Sequence, residues 1–248
     1  MTQIRRAYIR VGLAAKGGGE LEADEARHVV NVLRARPGDR LELLDGVGGR
    51  YIGEVGAVTK RTCAVKVLER LPNEPPETVE LSVGVSMPDK KRASAMCRML
   101  AELGVHQLFH LQSERSEWDI PSAKKLNRRL AKIARESCKQ SGRAFPMTIG
   151  EPRTIEALCA EIGFRPGAYA VIASTKEGSA TIGDRARARR SKANGGDNRV
   201  LAIIGPVGDF TDAEYELAVS SGFLPVTLGR HILRVETAAV ALAAQVKG

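Results

Sequence analysis

The chain has 248 residues, 43% of them hydrophobic, and its 38 Lys and Arg exceed its 29 Asp and Glu to give a formal net charge of +9. This size and composition indicate a globular protein of one large or two modest domains. The four scattered cysteines form no Cys-x-x-Cys pair, and no apolar run reaches the roughly twenty residues of a membrane span, so we expect no metal site, no disulfide framework, no membrane segment and a cytoplasmic location.

The first seventy residues predict a small, mainly β unit with one helix. Asp24 is expected to cap that helix, whose apolar face holds Val29, Val32 and Leu33. Strands are expected at 40–45, 51–55 and 62–68. Three prolines in the next segment bar a helix or a central strand, so a linker at 71–78 is predicted to divide a domain at 1–70 from one at 79–248.

Beyond the linker, strands alternate with helices, which predicts an α/β domain with a mainly parallel sheet. The strands are expected at 79–85, 105–111 and 169–173, and the helices at 91–103, 122–140 and 235–246. Two further apolar runs lead through the turns at 205–208 and 228–229 into helical segments. Open α/β sheets bind ligands at the carboxyl ends of their strands, so these two turns predict a binding site.

Basic side chains form a strong functional signal. The helix at 122–140 carries seven of them, opposed only by Glu136: Lys124, Lys125, Arg128, Arg129, Lys132, Arg135 and Lys139. A second basic run at 185–192 leads into a turn-rich segment at 193–198 that is expected to be an exposed loop. Clustered Lys and Arg bind phosphates, and aromatic residues make up only 4% of the chain, so a folded RNA read by shape and charge fits better than base stacking. The alternative is a generally basic protein without a nucleic-acid partner.

Glycines 205, 208 and 229 stand where a backbone must approach a ligand closely or adopt a positive φ. Such turns also occur without any ligand. Their spacing matches neither the dinucleotide fingerprint nor the Walker loop, so nucleotide phosphates are not the expected ligand.

Two polar pairs follow these turns. Thr211 and Glu214 form a capping-box pattern and are interpreted as structural. Arg234 and Glu236 flank the start of the last helix, where an Arg can stabilise developing negative charge and a Glu can orient it. The alternative is a surface Arg beside a Glu that the helix dipole favours.

Six motifs occur in order: Gly38-Asp39-Arg-Leu, Ala101-Glu-Leu-Gly-Val105, Ser113-Glu-Arg-Ser116, Cys138-Lys-Gln-Ser-Gly-Arg143, Ile204-Gly-Pro-x-Gly208 and Leu228-Gly-x-x-Ile-Leu-Arg-x-Glu-Thr-Ala238. Through them the whole chain resembles the bacterial 16S ribosomal RNA uridine-N3 methyltransferases of the SPOUT class. The resemblance implies a small β-rich, PUA-like RNA-binding domain followed by a SPOUT α/β methyltransferase domain with a C-terminal trefoil knot. It also implies a homodimer, S-adenosyl-L-methionine as cofactor, and 16S rRNA in the small ribosomal subunit as partner.

The resemblance further implies which residues hold the cofactor against their backbone: Ile204, Gly205 and Gly208 in one loop, and Leu228, Gly229, Ile232 and Leu233 in the other. Uracil N3 becomes a nucleophile only after it loses its proton, and the charge then spreads onto O2 and O4. We therefore expect Arg234 to stabilise the uracil anion or its O4, and Glu236 to hold Arg234. RNA contacts are expected from Arg5, Arg6, Arg34, Arg115, Lys125, Arg128, Arg129, Lys132 and Arg143.

Four positions in the two loops depart from the family pattern: Val207 replaces a Glu, Asp209 a Gly, His231 an Arg and Val235 a Thr. Asp209 can compensate for the carboxylate lost at 207, or it can narrow the loop. His231 can act as proton acceptor or as a smaller polar substitute for Arg. Three functions stay open: methylation of uridine N3, an RNA-binding or ribosome-assembly role with catalysis lost, and methylation of another RNA or of a ribose hydroxyl.

Overall fold

The computed structural model describes residues 5–163, 169–175, 180–181 and 198–248. The chain divides into two compact units: one comprises Met1–Pro76 with Cys138–Pro146, and the other Glu77–Ser137 with Met147–Gly248. The first division falls inside the predicted linker at 71–78. Residues 138–146 return to the first unit, which was not predicted, and they interrupt the expected domain at 79–248. The basic run at 185–192 lies outside the described residues, as does the predicted loop at 193–198 apart from its last residue.

The first unit is built on a five-stranded sheet in the order β1-β3-β4-β5-β2. Its strands are β1 (Arg6–Tyr8), β2 (Gly18–Glu20), β3 (Arg40–Leu44), β4 (Arg50–Val58) and β5 (Cys63–Leu71). β1 pairs with β3 in parallel, and the other three pairs are antiparallel. The three strands predicted in this region are confirmed, and their alternating apolar residues, such as Leu41, Leu43 and Val65, form the core.

The predicted helix of the first unit differs from its expectation. A short helix α1 (Ala23–Arg27) runs into a π-helical turn at His28–Val32. Asp24 does not cap it, because the N-cap position is Glu22 and the Asp24 carboxylate instead pairs with Arg27. The wider π turn shifts the helical phase, which leaves Val29 buried but Val32 67% exposed.

The second unit is built on a sheet in which every described strand pair is parallel, in the order β11-β13-β10-β12-β6-β7-β8, with β9 also paired to β7. Its strands are β6 (Glu80–Val85), β7 (Gln107–Gln112), β8 (Thr148–Ile149), β9 (Arg153–Thr154), β10 (Tyr169–Ala173), β11 (Ala180–Thr181), β12 (Arg199–Ile204) and β13 (Leu224–Thr227). The predicted parallel α/β sheet is confirmed. Central strands are apolar on both faces, as expected where helices cover both sides of a sheet.

Five helices of the second unit are described: α2 (Lys90–Glu102), α3 (Ile120–Ser141), α4 (Ile155–Gly163), α5 (Asp212–Ser220) and α6 (Val235–Lys247). The three helices predicted here are confirmed within two residues at each end. Gly104 follows α2 with a φ of 83°, the left-handed conformation expected at a helix end. The last four residues of α3, 138–141, count with the first unit.

Three neighbouring strands of this sheet position the candidate site. β13, β10 and β12 lie side by side and run in parallel, so their carboxyl ends at Thr227, Ala173 and Ile204 share one edge. The chain leaves these ends through the predicted glycine turns. The trefoil knot stays a prediction. No helix among the described residues is long and apolar enough to span a membrane.

Candidate active site

A cavity of about 870 Å³ opens at the carboxyl edge of the second unit's sheet. Three segments at 173–175, 204–209 and 227–235 line it, together with Arg92 and Ala238. All seven residues assigned to cofactor binding and Arg234 are among the lining residues, whereas Glu236 is not. The structure therefore brings both glycine turns to one cavity, although they are separated by helix α5 and strand β13.

The first turn, at 205–209, depends on two backbone features. Gly205 has almost no room for a side chain, since a Cβ there would lie 3.1 Å from the Asp209 Oδ1 atom and 3.1 Å from the Phe210 amide nitrogen. Gly208 and Asp209 follow with φ values of 92° and 65°. Asp tolerates this left-handed region better than most residues, which explains how it can stand in place of a Gly.

The carboxylate of Asp209 holds the turn together. Its Oδ1 accepts a hydrogen bond from the Phe210 amide at 2.8 Å, and its Oδ2 accepts one from the Thr175 hydroxyl at 3.2 Å. The second bond ties the turn after β12 to the segment after β10. Val207 lies beside it with 63% of its surface exposed, so the position that carries Glu in the family here presents an apolar side chain to the cavity.

The second turn, at 228–229, is also closed by local hydrogen bonds. The Thr227 hydroxyl donates to the Gly229 carbonyl at 3.1 Å, and Gly229 has a φ of 146°. His231 is exposed at the cavity wall, and Ile232 is 86% exposed. Arg234 occupies the N-cap position of α6 with an exposed side chain.

The partner of Glu236 differs from the one predicted. Its Oε2 atom lies 3.7 Å from the Arg92 Nη1 atom, and the Glu236 side chain is only 15% exposed. Asp89 caps α2, accepts hydrogen bonds from the Lys91 and Arg92 amides at 2.9 and 3.1 Å, and also accepts from the Arg92 Nε atom at 2.5 Å. The hydrogen bond from the Arg92 side chain is the largest of the causes that lower the pKa of Asp89. Arg92, which sequence reasoning missed, is therefore a cation fixed at the cavity wall between two carboxylates.

The predicted RNA contacts on α3 lie on the surface. Lys125, Arg128, Arg129 and Lys132 are all exposed. Lys139, on the same helix, is not part of this surface, because its ammonium lies 3.1 and 3.3 Å from the Glu25 carboxylate oxygens in the interior of the first unit. The helical repeat of basic residues does not reveal which of them are paired.

The other predicted RNA contacts fall into three groups. Arg34 is exposed, and Arg5 is half-exposed and bonded to Asp39 at 2.9 Å. The predicted RNA contacts of Arg6 and Arg143 need correction, because neither side chain lies on an open surface. The Arg6 side chain is 18% exposed and bonded to Glu42, and Arg143 is 8% exposed. Arg115 donates from Nη1 to the Gly208 carbonyl at 2.6 Å, so it contacts the first glycine turn.

Among the described residues, no group of three or more His, Cys, Asp or Glu side chains could hold a metal ion.

Family comparisons agree with both units. A family profile described as an RNA methyltransferase domain matches residues 75–247, and one described as an RNA methyltransferase PUA domain matches residues 21–68. These matches confirm the predicted PUA-like domain followed by an α/β methyltransferase domain.

Individual relatives are similar along most of the chain. The ribosomal RNA small subunit methyltransferase E of Rickettsia conorii is 28% identical, over 98% of this chain and 94% of the relative. That of Mycobacterium tuberculosis is 29% identical, over 90% and 84%. The crystal structure of a ribosomal RNA small subunit methyltransferase E from Neisseria gonorrhoeae bound to S-adenosyl methionine has a TM-score of 0.81 and 25% identity, over 97% of this chain and 95% of that one. With its profile match extending over residues 75–247, the chain belongs to the RNA methyltransferase family.

Proposed function

We propose that this protein transfers a methyl group from S-adenosyl-L-methionine to N3 of a uridine in 16S ribosomal RNA, as a cytoplasmic homodimer. One observation carries the proposal: the cavity at the sheet edge is lined by all seven backbone positions assigned to the cofactor and by Arg234. Membership of the RNA methyltransferase family supports the reaction class. The homodimer and the uridine come from the family resemblance, and the cellular location comes from the scattered cysteines and the lack of a membrane-length apolar run. Sedimentation of the purified protein tests the homodimer.

The cavity fits the cofactor in size and in chemistry. Its volume of about 870 Å³ lies within the range of small-molecule sites. Gly205, Gly208 and Gly229 of the two turns line the cavity. A Cβ at Gly208 or Gly229 would meet no atom within 4 Å, so the lack of a side chain at these two positions lets a ligand approach the backbone closely. When bound, S-adenosyl-L-methionine supplies a methyl group already activated by its sulfonium.

The protein's part in the reaction is to stabilise the negative charge that develops on the target base. Loss of the N3 proton places negative charge on the uracil oxygens, which a cation at the cavity wall can stabilise. Arg92 is held between Asp89 and Glu236, whereas Arg234 is exposed and can reach toward an entering base. We assign charge stabilisation to Arg234, and we assign to Arg92 and Glu236 the role of an ion pair that fixes a second cation at the cavity wall.

His231 is the candidate proton acceptor. It lines the cavity and is exposed, and a neutral imidazole has a ring nitrogen that can accept a proton. Among the described residues of the wall, Asp209 also carries a base, but both of its carboxylate oxygens already accept hydrogen bonds, which suits it to hold the turn. Replacing His231 by Gln keeps a polar side chain and removes the base, so the single-turnover rate of methyl transfer should fall by about a hundredfold or more, and an unchanged rate would exclude this role.

The RNA surface is assigned to the exposed face of α3. Lys125, Arg128, Arg129 and Lys132 are exposed there, and such clusters bind phosphates independently of base sequence. Arg34 and Arg5 are the exposed and half-exposed candidates in the first unit.

A second candidate function is an RNA-binding or ribosome-assembly protein that has lost catalysis. The substituted loop positions Val207, Asp209, His231 and Val235, all of which line the cavity, favour it. Calorimetric titration with S-adenosyl-L-methionine separates the two. Micromolar or tighter binding supports the enzyme, whereas RNA binding without cofactor binding supports the second candidate.

A further inference from the structure

We propose that Arg115 is a positioning residue that holds the first glycine turn in its cofactor-binding shape. Resting on the proposed function, the inference assigns the loop Ser113–Ser116, here called the serine loop, to the methyl-donor site. The sequence alone suggested an RNA contact at Arg115. Its observed hydrogen bond is to the backbone of the turn that lines the cavity.

The first fastening point is the Arg115 guanidinium. Its Nη1 atom donates to the Gly208 carbonyl at 2.6 Å and lies 3.5 Å from the Asp209 carbonyl. These two residues are the consecutive pair with positive φ. A left-handed Asp is intrinsically disfavoured, so a charged donor on the adjoining carbonyls helps to select this turn conformation over more relaxed ones.

The second fastening point lies just beyond the turn. The Glu114 amide donates to the Glu214 Oε1 atom at 2.7 Å. The other oxygen of Glu214 accepts from the Thr211 amide at 2.9 Å, as part of the capping box that starts α5. Glu214 is buried. The predicted capping box is thus confirmed, and its Glu also anchors the serine loop, which the local sequence pattern did not reveal.

Hydrogen bonds within the serine loop and to Ser86, the residue that follows strand β6, fix the position of the loop. The Ser116 hydroxyl accepts from the Ser113 amide at 2.9 Å, and the Ser113 hydroxyl lies 3.1 Å from that of Ser86. The Ser86 amide donates to the carbonyl of Ile204, the last residue before the turn, at 3.0 Å. The turn is therefore held just before its start through Ser86, within it through Arg115, and just beyond its end through Glu114 and Glu214.

The test compares Arg115→Ala and Arg115→Lys with Arg98→Ala, a matched control that removes an exposed Arg from α2 of the same unit. Two readouts are used: calorimetric affinity for S-adenosyl-L-methionine without RNA, and hydrogen exchange of the 205–210 segment in cofactor-free protein. We expect affinity about tenfold weaker in Arg115→Ala, the loss appropriate to one charge-assisted hydrogen bond, with partial recovery in Arg115→Lys. Exchange at the Asp209 and Phe210 amides should be faster in Arg115→Ala even without cofactor.

The outcomes separate this inference from the proposed function. Wild-type cofactor affinity and unchanged exchange in Arg115→Ala, with only RNA affinity reduced, would overturn the inference and return Arg115 to the RNA surface. Failure of the wild-type protein to bind the cofactor would instead contradict the proposed function, while the exchange measurement would still decide whether Arg115 holds the turn. Should Arg115→Ala not fold, Arg115→Lys provides the same comparison with a smaller expected change in both readouts.

Discussion

The ion pair between Lys139 and Glu25 provides a sharp test of which basic residues on α3 are structural. The two side chains are 4% and 5% exposed, and two nitrogen–oxygen distances of 3.1 and 3.3 Å join them. At an effective dielectric constant of about 20, such a contact carries an attraction of about 5 kcal/mol before desolvation is subtracted. Lys139→Met removes the ammonium and leaves the Glu25 carboxylate buried, with the Tyr8 amide still donating to it at 3.1 Å.

We expect Lys139→Met to lower the free energy of unfolding by about 3 to 5 kcal/mol, a large share of an ordinary protein's stability. Combining it with Glu25→Gln should recover most of that loss, since neither buried charge then remains. Urea unfolding followed by circular dichroism measures both effects. Lys132→Met is the matched control on the exposed face of the same helix, and its effect should stay within about 0.5 kcal/mol.

If Lys139→Met lowered the free energy of unfolding by less than about 1 kcal/mol and also weakened RNA binding, this reasoning would be refuted, because breaking a buried ion pair costs more than that. Lys139 would then belong with the exposed basic residues of the helix. The expected result keeps RNA affinity unchanged while stability falls.

Three further predictions follow from the site and its surroundings. The effects of Glu236→Gln and Arg92→Ala on the single-turnover rate of methyl transfer should be non-additive, with a coupling of roughly tenfold, because the two side chains form a pair. The effects of Glu236→Gln and Arg234→Ala should be more nearly additive. The opposite pattern would restore the predicted Glu236–Arg234 pair. Burial lowers the pKa of His110, so the unfolded chain binds a proton at a higher pH than the folded chain does, and the free energy of unfolding should fall as pH drops below about 6.5. Urea unfolding at several pH values should show that this free energy depends less steeply on pH in His110→Gln. Arg128→Ala should weaken RNA binding for all sequences and reduce the salt slope by about one, and an unchanged slope in filter binding would remove that residue from the RNA surface.

The geometry around His110 gives the sign of its pH effect. Its Nδ1 accepts from the Met87 amide at 3.3 Å, and its Nε2 lies 3.1 Å from the Trp118 carbonyl oxygen. A neutral ring with the proton on Nε2 satisfies both contacts. Protonation of Nδ1 would set two donors against each other, so the folded state favours the neutral form.

Much of the fold could be predicted because it is encoded locally. Apolar β-branched runs predicted β10 at 169–173, which the structure matches residue for residue. Glycines at 205, 208 and 229 predicted the two turns, since close approach and positive φ are properties of single positions. These same local signals pointed to the sheet edge at which the cavity opens.

The side-chain pairs of the site could not be predicted in this way. Arg115 and Gly208 are 93 positions apart, and Lys139 and Glu25 are 114 apart, so no periodicity relates them. Arg92 illustrates the same limit, because its sequence neighbourhood reads as an ordinary basic helix start and only the packed fold brings it to Glu236. The π turn at 28–32 likewise depends on packing that changes the helical phase without a sequence signal.

Nucleoside mapping of 16S rRNA by mass spectrometry, in a strain lacking this gene and in the same strain carrying it on a plasmid, tests the central claim most directly. We predict that one 3-methyluridine becomes uridine in the deletion strain and that the wild-type gene restores it, whereas Arg234→Ala does not. An unchanged 3-methyluridine content, or loss of a ribose methyl or of a methyl group in another RNA, would contradict the assignment.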